Sequence, residues 1–206
     1  MKRLTLLLSA LPVILFGAIV EGEKTGEIRV VPVERTPEPD TVEIKIAYPK
    51  ENEIEDDNPV RLQLRLETYG LGVYSDFPRA KEIRDSKEGQ AIHIIVDGRP
   101  YISINEAIDD MSESEEIDYD QTLMVKLPYK LPEGEHVIRA FPVRSYDECL
   151  KGTGVFAADI FYVGQKKPTL DVDLSKPYLT YNQPQGEFDG KKPILLDFFL
   201  SNTQLS

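Results

Sequence analysis

Apolar and polar residues alternate along much of the chain between residues 26 and 163. Leu62, Leu64 and Leu66, for example, are separated by single polar residues. A period of two residues places successive side chains on opposite faces of an extended strand. The pattern therefore predicts a series of half-buried β-strands, each with one face in water.

The same segment predicts where strands begin and end. Residues 91–96 are apolar on both faces, which indicates a central strand, and Asp97-Gly98 and Glu133-Gly134 are turn signals. A helical period is limited to one predicted turn near residues 105–108. The other predicted strands lie near residues 42–46, 60–66, 101–104, 123–127, 136–141 and 155–163. Seven or eight short strands predict an all-β fold, an immunoglobulin-like two-sheet antiparallel β-sandwich over residues 26–164.

The N-terminus has the pattern of a secretory leader. Lys2 and Arg3 precede an apolar run over residues 4–20, which predicts a leader helix and a signal peptide over residues 1–22. A transmembrane anchor is the alternative, but the run is short for a bilayer and contains Pro12 and Gly17. We therefore expect an extracytoplasmic protein, periplasmic or secreted, that contacts a membrane only through an uncleaved leader.

The C-terminal part predicts a linker and an incomplete β segment. Residues 165–177 are polar and contain turn signals, and two strands are predicted beyond them, near residues 178–181 and 194–200. Two strands do not make a stable domain. Residues 178–206 are thus expected to be the start of a second β domain or a docking tail. An unpaired apolar strand also favours self-association through residues 194–200.

Composition excludes several classes of protein. The chain has 206 residues, 24 of them basic and 36 acidic, and its formal net charge of −12 is opposite to that of a nucleic-acid-binding protein. An apolar content of 41% is enough for one packed domain. Cys149 is the single cysteine, so no intrachain disulfide can form, and the chain has no tryptophan.

Two segments resemble a known group of proteins. The residues Gln90 to Gly98 (QAIHIIVDG) and Leu131 to Arg139 (LPEGEHVIR) are similar to the paired central strands of uncharacterised bacterial exported immunoglobulin-like β-sandwich modules. The resemblance covers about residues 85–163. It implies an extracytoplasmic sandwich in which the strands of His93 and His136 are neighbours, and it implies no chemistry.

The strand pattern also predicts a core. Ile92, Ile94 and Val96 share one face of their strand, whereas His93 shares the other face with Ile95. The residues expected in or beside the core are Ile92, Ile94, Val96, Val137, Phe156 and Ile160.

Metal chemistry is not expected. A blue-copper site would need His93, His136, Cys149 and a methionine, Met111 or Met124, but no histidine follows Cys149 at short range. Two histidines and one cysteine also do not supply a structural zinc site. Residues 109–116 form an acidic stretch that is read either as a calcium loop or as a solvated loop. We expect no cofactor.

Catalytic patterns are also missing from the sequence. There is no Gly-x-Ser-x-Gly motif, and no third group is indicated by spacing for either histidine. Cys149 with His136 is a conceivable dyad, and a small buried thiol is the alternative. We therefore assign no catalytic residue and expect that the protein is not an enzyme.

Candidate binding residues cluster at the end of a predicted central strand. Arginine and tyrosine are typical interface anchors, and loops at the ends of a sandwich commonly carry binding residues. The candidates are Arg139, Arg144 and Tyr146, with His136, His93 and Tyr101 as neighbours. The alternative is that Arg139 and Arg144 pair locally with acidic residues.

These observations predict a noncatalytic exported β-sandwich module with a binding or envelope-structural role. Its partner would be a protein or a glycan that the sequence does not identify. A carboxylate-based extracytoplasmic hydrolase is the alternative, and it would require two carboxylates converging in a deep cleft.

Overall fold

A computed structural model describes residues 29–83, 88–106, 121–168, 170, 172–188 and 191–203. The predicted leader, the acidic stretch at 109–116 and part of the predicted helical turn lie outside these ranges. The chain divides into two units, residues 1–36 and residues 37–206. Residues 29–36, the described part of the first unit, contain no helix or strand.

The second unit consists mainly of β-strands. In chain order these are β1 (Glu43–Tyr48), β2 (Ile54–Glu55), β3 (Arg61–Glu67), β4 (Ala91–Val96), β5 (Ile102–Ile104), β6 (Gln121–Lys126), β7 (Gly134–Val143), β8 (Ala157–Val163), β9 (Tyr178–Gln183) and β10 (Asp197–Ser201). One short helix, α1 (Pro78–Glu82), lies between β3 and β4. Five residues are too few to produce a helical period, so the sequence pattern does not predict α1.

The strands form three sheets. A three-stranded antiparallel sheet has the order β1-β3-β6, and a five-stranded sheet has the order β2-β8-β7-β4-β5, in which β2 pairs with β8 in parallel. Strands β9 and β10 pair only with each other, and we call this pair the ribbon. The predicted all-β, sandwich-like fold is confirmed.

The core lies between the two larger sheets. Alternate residues of β3, Leu62, Leu64 and Leu66, are fully buried, as the period of two predicts. Ile92 and Ile94 of β4 are fully buried in the same cluster. Burial of each such side chain contributes about 1.5–3 kcal/mol, so this alternation is the main source of sandwich stability.

The predicted neighbouring histidine strands are confirmed. Strand β4 pairs antiparallel with β7, with His93 opposite Phe141 and Ile94 opposite Ala140. His93 lies on β4 and His136 on β7. Because side chains alternate, His93 and His136 project from opposite faces of the five-stranded sheet.

Two of the predicted core residues lie on the other face of the five-stranded sheet from Ile92 and Ile94. Val137 is buried, but it alternates with Ile138 and therefore lies on the outer face of the five-stranded sheet. Ile160 pairs with Val137 on that face and is half-buried. Alternation gave the faces correctly but did not show that the outer face is also covered.

The ribbon covers that outer face. The ring of Phe199 lies with its centroid 5.1 Å from that of Phe141 and 4.8 Å from that of Phe156. This cover explains why all six residues of β4 are buried.

The sequence predicted a single strand over residues 194–200, and this prediction is wrong in its extent. Strand β10 begins at Asp197, and Ile194 and Leu196 are exposed. Asp197 pairs with Gln183, the last residue of β9, and the next residue, Pro184, has no N–H with which to extend the ladder.

Candidate functional site

A groove of about 680 Å³ lies between the outer face of the five-stranded sheet and the ribbon. This volume is in the usual range for sites that bind small molecules. Its lining residues come from β4, β7, β9 and the loops beside them. They include Ile95, Asp97, Arg99, Val137, Arg139, Leu170, Val172, Leu179, Thr180 and Tyr181. The groove is thus mainly apolar and has two arginines.

Arg139 enters the groove from the middle of β7. Its Nη1 donates a hydrogen bond to the backbone carbonyl of Asp97 at 3.1 Å, and its guanidinium lies 5.6 Å from the ring centroid of Tyr178. Its Nε is buried and has no hydrogen-bond partner among the described residues. Burial lowers the pKa of Arg139, although Tyr178 and Asp97 partly offset this effect. The side chain stays charged at neutral pH because arginine titrates far above it.

Thr180 faces the same groove from β9. Only 3% of the residue is exposed, and its Oγ1 is buried without a hydrogen-bond partner among the described residues. Buried hydroxyl groups are normally paired. Two residues that line the groove, Arg139 and Thr180, therefore each have a buried polar atom that is unpaired among the described residues.

Asp97 connects the groove to the neighbouring turn. Its Oδ2 lies 2.9 Å from Nδ1 of His136, and its Oδ1 accepts the backbone N–H of Val137 at 3.1 Å. Nε2 of His136 lies 2.9 Å from the carbonyl oxygen of Pro132. Both ring nitrogens face acceptors, an arrangement that suits the doubly protonated imidazolium.

The pKa values of this pair move apart. Burial alone lowers the pKa of His136, but the hydrogen bonds to Asp97 and Pro132 outweigh it and raise the pKa above its ordinary value of 6.5. Burial alone raises the pKa of Asp97, but the hydrogen bonds from His136 and Val137 outweigh it and lower the pKa below 3.8. Both shifts favour the charged form of each side chain, so protonated His136 and Asp97 form an ion pair that holds the turn.

A second polar cluster lies beneath the ribbon. The fully buried His93 stacks on Tyr101, with ring centroids 3.6 Å apart, and its Nδ1 lies 2.8 Å from Oδ1 of Asn182. Nδ2 of Asn182 donates to Oδ2 of Asp197 at 2.7 Å and to the carbonyl of Asp147 at 2.7 Å. These bonds fasten β9 and β10 to the sheet.

Asp197 is the centre of that cluster. Its carboxylate accepts the backbone N–H of Cys149 at 2.9 Å and Nζ of Lys151 at 2.7 Å, in addition to Asn182. The ammonium group of Lys151 also donates to Sγ of Cys149 at 2.6 Å and lies 4.5 Å from the ring centroid of Phe199.

Cys149 is held as a protonated thiol. The residue is 1% exposed, and burial together with the charge of Asp197 raises the pKa of the thiol, although Lys151 acts in the opposite sense. The thiolate is the nucleophilic form of cysteine. This environment therefore disfavours nucleophilic chemistry at Cys149, and His136, the other member of the conceivable dyad, is bonded to Asp97 instead.

Arg144 and Tyr146 lie in a third place, beside α1. Arg144 is 3% exposed, its Nη2 donates to the carbonyl of Pro37 at 2.7 Å, and its guanidinium lies 4.7 Å from the ring centroid of Phe77. Tyr146 donates to Glu148 at 2.9 Å, and Glu148 also pairs with Arg144. Glu148 forms a further ion pair with Arg79.

The six predicted binding residues thus separate into three groups. Arg139 lies in the groove, with His136 behind it at the Asp97 turn. His93 and Tyr101 are stacked beneath the ribbon, and Arg144 and Tyr146 belong to the ionic cluster beside α1.

Sequence reasoning did not identify Thr180, Asn182, Lys151 or Asp197. Asp197 carried a usable signal, since a single carboxylate inside the apolar run Leu195-Leu196-Asp197-Phe198-Phe199 indicates a buried, paired acid. The other three have no such signal, because their partners are distant in the sequence.

Within the described ranges, no group of three or more His, Cys, Asp or Glu side chains is arranged to hold a metal ion. In the same part of the chain, no helix has the length and apolar character needed to cross a membrane.

The fold and groove define an all-β protein of two facing sheets with a ribbon over one of them. No protein-family model, curated protein or solved structure matches the chain.

Proposed function

We propose that the chain is a noncatalytic, exported, immunoglobulin-like β-sandwich module that binds a ligand in the groove. The observation that carries this proposal is the groove itself, an open space of about 680 Å³ with apolar walls and buried polar atoms. Binding sites of this kind combine apolar lining with a few placed polar groups. An envelope-structural role is the other form of the proposal, in which the groove receives part of a neighbouring protein or glycan.

The strand order supports an immunoglobulin-like topology. Strands β1-β3-β6 follow the order A-B-E, and β8-β7-β4-β5 follow the order G-F-C-C′ of that sandwich. The turn before β7 adds to the likeness. His136 bonds to the carbonyl of Pro132, four residues upstream, where many such sandwiches use a tyrosine at the start of strand F.

The state of the reactive groups supports binding over hydrolysis. The hydrolase alternative needs two converging carboxylates, and the acidic side chain among the described lining residues is Asp97. Both of its carboxylate oxygens accept hydrogen bonds from His136 and Val137. Asp97 is therefore committed to holding the turn.

Export is supported by the sequence of residues 1–22, which has the charge and apolar run of a signal peptide. The direct test is expression of the full chain in a bacterium, followed by fractionation and N-terminal sequencing. Recovery of a chain starting near residue 23 outside the cytoplasm would support the proposal. Recovery of the full-length chain in the cytoplasm would contradict it.

The binding function is tested by screening residues 23–206 against glycan, peptide and small-molecule collections. Each hit is measured again with Leu179→Trp, which places a bulky ring at the groove, and with Leu196→Trp as the control. Leu179 and Leu196 are 53% and 52% exposed, but only Leu179 is a groove residue. We expect Leu179→Trp alone to abolish binding. Hits that both variants retain would refute the groove as the site, and turnover of chromogenic glycosides would favour the hydrolase.

A further inference from the structure

Two residues that line the groove each carry a hydrogen-bond donor without a partner among the described residues. Nε of Arg139 and Oγ1 of Thr180 are both buried and both unpaired among the described residues. Burying a polar atom without a partner is unfavourable, and native proteins rarely retain such atoms without a reason. Two of them in one groove indicate a place for an acceptor atom of a ligand.

The local charge favours an anionic acceptor. Arg139 and Arg99 both line the groove, and Arg99 lies with its guanidinium 4.3 Å from the ring centroid of Tyr129. The one acidic side chain among the described lining residues, Asp97, is already paired with His136. The groove is therefore locally positive in a chain whose net charge is −12.

The remaining walls are apolar. Ile95 and Val137 line the groove from the five-stranded sheet, and Leu170, Val172 and Leu179 line it from the later part of the chain. Such walls favour the hydrocarbon part of a ligand, because its burial removes apolar surface from water. An inorganic anion alone would leave this part of the groove unfilled.

We infer that the groove binds a small aliphatic monocarboxylate, with the carboxylate on Arg139 and Thr180 and the hydrocarbon chain along the apolar walls. This inference rests on the proposed binding function and adds the chemical class of the ligand. A carboxylate matches the site because its two oxygens accept hydrogen bonds from two separate donors. The volume of about 680 Å³ holds one such molecule.

The test is isothermal titration of residues 23–206 with octanoate, with octan-1-ol and with sodium phosphate. We expect octanoate to bind roughly tenfold or more tightly than octan-1-ol, since charge-assisted hydrogen bonds are stronger than neutral ones. Phosphate at equal concentration is expected to give no saturable binding.

Variants then locate the carboxylate. Arg139→Gln is expected to weaken octanoate binding by roughly tenfold or more and to leave octan-1-ol binding unchanged. Thr180→Val keeps the side-chain shape and is expected to weaken octanoate binding by a smaller factor. Arg65→Gln is the control, because Arg65 is an exposed residue of β3 outside the groove. Circular dichroism and thermal unfolding confirm that each variant is folded, and Thr180→Val provides the test if Arg139→Gln does not fold.

Each result is decisive. Equal binding of octanoate and octan-1-ol, or octanoate binding that survives both Arg139→Gln and Thr180→Val, would overturn the inference and leave the binding function standing. N-acetyl-Val-Leu, which has a free peptide carboxylate, is titrated as a further probe. Binding of this dipeptide but not of octanoate would overturn the inference of a small monocarboxylate in favour of a peptide C-terminus. Absence of binding by every probe, together with failure of the wider screen, would overturn both proposals.

Discussion

The Asp97 carboxylate and the His136 imidazole, 2.9 Å apart, join the end of β4 to the start of β7. Asp97 has a positive φ of 56°, a conformation that non-glycine residues adopt rarely. The hydrogen bonds from His136 and Val137 hold it there, and its carbonyl in turn receives Arg139. One turn residue therefore positions the groove arginine.

This ion pair makes stability depend on pH. The raised pKa of His136 means that its stabilising contribution is complete below the ordinary value of 6.5 and is lost as the pH rises through the higher folded value. The lowered pKa of Asp97 means that its contribution is complete above 3.8 and is lost as the pH falls through the lower folded value. Arg99 opposes the protonation of His136 without reversing it.

We expect the free energy of unfolding of the wild-type chain to fall between pH 6 and pH 9, relative to that of His136→Gln. At pH 6 the variant should be less stable by about 1.5–3 kcal/mol, the range for hydrogen bonds to charged groups. Urea unfolding at several pH values measures both chains. A constant difference across this range would show that folding does not shift the pKa of His136, and would contradict the proposed stabilisation of its protonated form.

Asp197→Ala should destabilise the protein strongly. The substitution leaves the side-chain amide of Asn182, the N–H of Cys149 and the ammonium of Lys151 without their shared acceptor. We expect a loss of about 3 kcal/mol, because each buried unsatisfied group costs about 1–3 kcal/mol. Asp173→Ala is the control, since Asp173 pairs with Lys176 at the surface, where an ion pair contributes little to stability. Similar losses for the two variants in urea unfolding would contradict a structural role for the cluster.

Phe199→Ala should weaken the attachment of the ribbon. Phe199 is 9% exposed and packs against Phe141 and Phe156, and Phe→Ala in a core costs about 3–5 kcal/mol. Leu196→Ala removes an exposed side chain of the same segment and should change stability by less than about 0.5 kcal/mol. Proteolysis should then cleave the ribbon of Phe199→Ala faster than that of Leu196→Ala. Equal cleavage rates would indicate that other contacts hold the ribbon.

Gly89→Ala should disrupt the close backbone contact between Gly89, just before β4, and Gly72. Gly89 has a φ of +80°, and an added Cβ would lie 2.2 Å from the carbonyl oxygen of Gly72. Backbone strain and overpacking each cost about 1–3 kcal/mol, so we expect a loss of at least about 2 kcal/mol. Gly98→Ala has no heavy atom within 4 Å of its new Cβ and is the matched control. A thermal unfolding midpoint for Gly89→Ala equal to that of Gly98→Ala would be inconsistent with the close backbone approach.

The strands of the sandwich could be predicted because their information is local. In β3 every second residue is a leucine, and each of these leucines is buried. The turn was also predictable, from the dipeptide Asp97-Gly98. The pairing of the two histidine strands was predictable from the resemblance to exported immunoglobulin-like modules. The two strands of the ribbon were predictable, but the start of β10 was not. The pairing of β10 ends at Gln183, the last residue of β9, because the next residue is Pro184.

The groove could not be predicted, because it depends on contacts between distant segments. Arg139 was a candidate, but its guanidinium lies against the ring of Tyr178, about 40 residues later in the chain. Arg144 is the next arginine in the sequence, but it lies outside the groove and pairs with Glu148 and the carbonyl of Pro37. Alternation gives the face of a residue but does not show what covers that face.

The order of synthesis adds a further consequence of the ribbon. His93 hydrogen-bonds with Asn182, a residue 89 positions later in the chain. At about 5–20 residues per second, a ribosome needs roughly 4–18 s to make that interval. Strand β7 is complete only at Val143, about 40 residues before Asn182. For roughly the last 2–8 s of the interval, β4 and β7 therefore exist while their outer face, with Phe141 and Ile95, has no ribbon to cover it. The nascent chain therefore exposes an apolar surface for seconds. Chaperones that bind apolar segments have access to this surface before β9 and β10 are made.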